Sequence, residues 1–130
     1  MRQKSLLVSC LLLLTNPSLA ANWEVVGRSE RNGNVTSLDR DSIKRNSGQQ
    51  IRATTMEVYA STGRAYDVSF DTVEIDWLIV CSDYSATLAR SRFFANQRVV
   101  LDRSQNQQMG PPPEGLIRTA FQKACSLAGL

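Results

Sequence analysis

The 130-residue sequence contains no histidine. The usual general base at neutral pH and the commonest metal ligand are therefore both missing, and serine–histidine and cysteine–histidine catalysis are excluded. Cysteine is scarce, with three residues, and aromatic side chains make up only 7% of the chain. Proline is nearly absent apart from the run Pro111-Pro112-Pro113. No stretch approaches the ~18 consecutive apolar residues of a membrane-spanning helix. There is no block of like charge and no internal repeat. Without a basic patch the chain lacks the electrostatic footprint of a nucleic-acid binder.

What is present begins at the N-terminus. Arg2 and Lys4 precede an apolar stretch from Leu6 to Leu14, Pro17 breaks it, and Ser18-Leu19-Ala20 supplies small residues where a signal peptidase reads. Nine residues of helix span about 14 Å, half of a hydrocarbon core. A buried domain helix would show an apolar stripe, and this segment is apolar all round. Residues 1–20 are therefore expected to be a signal peptide cut after Ala20, with Ala21 as the alternative, leaving a single mature domain over 21–130. Leu7-Val8-Ser9-Cys10 looks like a lipobox, but its use would leave only four apolar residues before the cut and keep Leu11 to Leu14 on the mature chain. A lipid anchor at Cys10 is accordingly not expected. The mature domain carries 13 basic residues against 12 acidic ones, a net +1, so the whole-chain pI of about 9.0 overstates its basicity.

Without Cys10 two cysteines remain, and an even number in an oxidising compartment predicts one structural disulfide, Cys81 to Cys125. Closing a loop of 44 residues is worth roughly 4 kcal/mol in the chain-entropy account. The competing reading is two unrelated buried thiols. Two thiolates alone do not complete a zinc shell, so neither a metal nor any cofactor is expected.

Periodicity predicts an α+β domain: an antiparallel sheet of about six strands with a C-terminal helix on one face. Trp23 to Ser29 and Val35 to Leu38 pair around Asn32-Gly33. Asp39 to Arg45 reads as a turn or single helical coil anchored by Ile43, with a further turn at Asn46-Ser47-Gly48. Gln50 to Ala60 is a strand whose imperfect alternation calls for a bulge near Thr54 or Thr55. Ser61-Thr62-Gly63 turns toward Ala65 to Phe70. Thr72 to Ser82 is the cleanest strand, with Val73, Ile75, Trp77, Ile79 and Cys81 at every second position. Its far end is apolar on both faces through Leu78 and Val80, which predicts a cover there. A hairpin around Asn96-Gln97 follows, with Leu88, Phe93, Phe94, Val99 and Leu101 expected inside, and Arg103 to Pro113 reads as a connection. Ile117, Ala120, Phe121, Ala124, Cys125 and Ala128 then fall at helical spacing, with Pro113 and Glu114 suited to the first turn and Gly129 to the stop. A Cys81–Cys125 bond would pin this helix to the buried side of the best strand.

Few residues offer chemistry. Glu74 and Asp76, about 7 Å apart on one strand face, have a spacing used in two-carboxylate glycoside hydrolysis, but acids alternating with apolar residues are the ordinary solvent face of a half-buried strand. Asp39 and Asp41 lack the other ligands of a calcium loop and fit turn capping better. Arg90, Arg92, Arg98 and Arg103 line up along one predicted hairpin, a basic strip or simply a protected edge. Asn34-Val35-Thr36 matches a glycosylation acceptor. No catalytic residue is assigned.

Trp23-Glu24-Val25-Val26, Leu38-Asp39-Arg40-Asp41-Ser42-Ile43, the long strand into Cys81, the Arg90 to Leu101 hairpin and the stretch ending in Cys125 together resemble the surface-adhesin protein E family of exported bacterial proteins. The resemblance covers most of the mature chain and implies an antiparallel sheet with a C-terminal helix. Its founding adhesin binds host matrix and plasma proteins. Where the family carries a Trp and a Pro-Gly-Ser stretch before the last cysteine, this chain has Gly110-Pro111-Pro112-Pro113-Glu114-Gly115. The matched positions are scaffold positions, so the resemblance carries over no ligand-binding residue. The function expected is a non-enzymatic exported binding module for a host-matrix or envelope protein, in the periplasm, at the surface or secreted. One alternative is a periplasmic inhibitor or small-ligand carrier, which needs an apolar pocket between sheet and helix. The other is a carboxylate-dependent hydrolase.

Overall fold

A computed structural model describes residues 21–110 and 113–130. The expected signal peptide, its cleavage site and Cys10 lie outside the described residues. Six strands, β1 (Trp23–Arg28), β2 (Val35–Ser47), β3 (Gln50–Ala65), β4 (Val68–Val80), β5 (Ser85–Ala95) and β6 (Arg98–Gln108), precede one helix, α1 (Gly115–Leu127). The strands form one sheet in chain order, each antiparallel to the next. This is the expected α+β architecture.

The helix covers one face of the sheet. Ala120, Phe121, Ala124 and Cys125 are its buried stripe, set against Leu38, Ile51, Ala53, Trp77 and Ile79. The Trp77 and Phe121 rings meet edge to face with centroids 5.1 Å apart, and Trp77 Nε1 donates to Thr55 Oγ1 at 2.8 Å. Cys81 and Cys125 are bonded, with their Cα atoms 5.7 Å apart. The tie between helix and strand is thus present. Farther along the same face Phe70, Val73 and Phe93 form a second cluster, with Tyr59 edge to face on Phe70 at 5.0 Å.

The structure corrects several local expectations. Asp39 to Arg45 is not a turn or coil, because β2 runs on to Ser47 and absorbs its extra residues as a bulge between Asp39 and Lys44. The Ser42 hydroxyl fills the gap, accepting from Thr54 N at 2.8 Å. Ile43 does pack against the core as expected. No bulge occurs in β3 at Thr54 or Thr55; the irregularity facing β4 falls between Val58 and Gly63. The turn after β3 is at Tyr66-Asp67, whose φ angles of 51° and 61° build a tight hairpin without glycine. Gly63 serves a different end: a Cβ there would sit 2.6 Å from the Phe70 ring.

Three more corrections concern the last third of the domain. Arg103 to Gln108 extends β6 rather than forming a connection, since an edge strand wet on both faces needs no apolar alternation. Val99 is 49% exposed, although Phe93 and Phe94 are both buried across a register shift. Pro113 and Glu114 precede the helix rather than forming its first turn; Glu114 is its extended N-cap. Gly129, with φ 83°, ends it as expected. Leu78 and Val80 remain half-buried.

Candidate functional site

The face of the sheet opposite α1 carries every residue singled out for carboxylate chemistry. Alternation along β4 sends Val73, Ile75 and Trp77 toward the helix side and Thr72, Glu74 and Asp76 the other way. Register extends the pattern across the sheet: Glu74 lies between Met56 and Arg92, and Arg92 faces Asp102. Asp76 lies between Thr54 and Arg90, and Thr54 faces Asp39. The result is a band of alternating charge across a face that elsewhere mixes apolar and hydroxyl side chains.

Both arginines of the band are paired within it. Arg92 donates to Asp76 through both terminal nitrogens, at 3.0 and 3.1 Å, and reaches Glu74 Oε1 at 3.4 Å. Thr54 Oγ1 donates to Asp76 at 2.8 Å, and Arg90 Nε donates to Asp102 at 2.8 Å. Glu74 is only 8% exposed. Burial holds its carboxyl above the ordinary glutamate value, and Arg92 only partly offsets this. The Arg90 hydrogen bond holds Asp102 below the ordinary aspartate value. Glu74 and Asp76 thus share one guanidinium, an arrangement that fastens β4 to β5.

Asp39 caps backbone. Its Oδ1 accepts from the N–H groups of Asn22 and Asp41, both at 3.0 Å. The four arginines do not form one strip. Arg90 and Arg92 occupy the open face with their acids, Arg103 stacks on the Tyr66 ring at 3.8 Å, and Arg98 starts β6 at the turn. The partition follows from the register of β5 against β6 and from the face-switching bulges, neither of which shows in the order of residues. Asn34 is buried, donating to Glu57 Oε2 at 2.8 Å and accepting from Ala60 N at 3.1 Å. Its amide is engaged in the fold and not presented as a glycosylation acceptor.

A shallow depression of about 500 Å³ crosses the open face, lined among others by Trp23, Asp39, Glu74, Arg92, Phe94 and Asp102, so that all six strands contribute, Thr54 representing β3. Trp23 Nε1 is buried beside it with no hydrogen-bond partner among the described residues. Val58 (39% exposed) and Val99 (49%) stand along one side of the band and Val25 (65%) at its β1 end. From the sequence Val25 and Val58 had no role on a surface and Val99 was placed inside. No described element covers them.

The comparisons with known proteins bear directly on this sheet, helix and disulfide. The family model for surface-adhesin protein E matches residues 23–126. The chain belongs to this family. The matched span runs from the first residue of β1 past Cys125 and so includes all six strands, both bonded cysteines and most of the helix. Among solved structures, crystal form II of Haemophilus influenzae protein E aligns at a TM-score of 0.56 and 18% identity, covering 79% of this chain and 88% of that one. A second protein E structure, from non-typeable Haemophilus influenzae, aligns at 0.48 and 14% identity, covering 81% and 77%. No curated protein matches the chain. Among the described residues no helix is long and apolar enough to cross a membrane.

Proposed function

We propose that this chain is exported, cut after Ala20, and acts as an adhesin-like module that grips a host-matrix or envelope protein with the open face of its sheet. Membership of the surface-adhesin protein E family supports the adhesin reading. The observation that carries the choice of surface is the set of exposed valines, Val58 and Val99 along one side and Val25 at the β1 end of a charge band whose two arginines are both paired. Pairing within the band lowers the cost of desolvating it, while the valines gain from leaving water. A patch of this kind on a monomer marks an interaction surface.

The test is capture of host-matrix and envelope proteins on immobilised oxidised protein, side by side with a Val25→Asp, Val58→Asp, Val99→Asp triple variant of unchanged circular dichroism. The native surface should enrich a defined protein and the variant should lose it. Equal enrichment by both would remove the open face from the function.

A further inference from the structure

We propose that a second site, on the helix side of the sheet, binds a small amine carrying a flat apolar group. A cleft of about 410 Å³ opens where the N-terminal turn of α1 overhangs the sheet. That volume lies within the ~300–1,000 Å³ of small-molecule sites. Val73, Ile75 and Trp77 supply an apolar floor, and Leu116 and Ile117 an apolar roof. This is the pocket between sheet and helix that a ligand carrier requires. It faces away from the charge band, so it stands or falls independently of the adhesin reading.

The polar groups in the cleft decide the ligand's chemistry. Among the described residues Glu57 is the one ionisable side chain lining it. Its Oε2 accepts from Asn34, and its other oxygen has no hydrogen bond among the described residues. Directly across the β2–β3 ladder from Glu57 stands Thr36. Thr36 lines the same cleft, and its hydroxyl makes no side-chain hydrogen bond among the described residues, so it is open to the cleft. A carboxylate oxygen and a hydroxyl, both available and side by side on an apolar floor, form a receptor for an N–H donor of positive charge. The first-turn N–H groups of α1 contribute about half a unit of opposing charge, which the full charge of Glu57 exceeds.

The sequence contains two tryptophans. A Trp23→Phe variant, altered on the far face of the sheet, leaves Trp77 as the one tryptophan, directly under the cleft and selectively excited at the red edge of the absorption band. The oxidised protein in this background is titrated with phenethylamine, 2-phenylethanol and 3-phenylpropionate, which share a ring and differ in head-group charge. Phenethylamine should change Trp77 emission saturably and bind about tenfold or more tightly than the other two, the ratio expected of one charge-assisted hydrogen bond. Glu57→Gln should abolish that preference, Glu57→Asp should keep part of it, and Thr36→Val should weaken the amine several-fold. The site is overturned if none of the three probes gives a saturable response. Its assigned chemistry is overturned if the alcohol or the carboxylate binds as tightly as the amine, or if Glu57→Gln leaves the preference intact.

Discussion

The side chain of Asn34, one residue before β2, holds β3 at two points, donating to Glu57 Oε2 and accepting from the backbone N–H of Ala60. The same residue ends the β1–β2 turn, where its own N–H donates to Asn32 Oδ1 at 2.9 Å. One buried amide therefore fixes the turn against β3. Asn34→Ala should cost about 2–3 kcal/mol, because it strands the Ala60 N–H and a carboxylate oxygen at once. Urea unfolding of the purified variant measures this directly. A loss below about 0.5 kcal/mol would mean that water replaces both bonds.

The disulfide joins elements 44 residues apart. Replacing Cys81 and Cys125 together by alanine should lower stability by roughly 4 kcal/mol in the entropic account. The loss should appear in denaturant midpoints and in faster hydrogen exchange along α1. A double variant as stable as the native protein would show that packing of Phe121 and Ala124 alone seats the helix.

Glu74 predicts a pH dependence of definite sign. Its folded-state pKa is raised, chiefly by burial. The folded state therefore holds this proton more tightly than the unfolded chain. The resulting stability is full below the ordinary glutamate value and is lost as pH rises through the raised one. Glu74→Gln should thus gain on the native protein as pH is raised from about 4 toward 7, with Arg92 retaining Asp76 as its partner. Thermal unfolding of both proteins across that range gives the difference curve. A flat difference, or one of opposite slope, would contradict the burial argument.

Much of this fold was legible where one side of a segment is dry and the other wet. β4 and α1 announced themselves through Val73 to Cys81 and Ile117 to Cys125, because a single buried face imposes a period. The segments misread are those where no such contrast exists. Arg103 to Gln108 lies on an edge exposed to water on both sides, and Arg40 to Ser42 are held by bulge hydrogen bonds instead of by burial. Tyr66-Asp67 gave no turn signal, since non-glycine residues at positive φ are uncommon, and the nearby Gly63 drew the turn to itself while serving the Phe70 ring. The open face was legible only as single residues. Its charge band exists because register sets Arg92 beside Glu74 and Arg90 beside Asp76, and register is a property of strand pairs.

Because every strand hydrogen-bonds only to its neighbours in the chain, the sheet can zip up from one hairpin to the next with short loops to close. The helix is the exception: it must travel back from the sixth strand to pack on β2, β3 and β4. A bond between Cys81 and Cys125 makes that return irreversible under oxidising conditions, holding the last element of the chain on strands formed long before it.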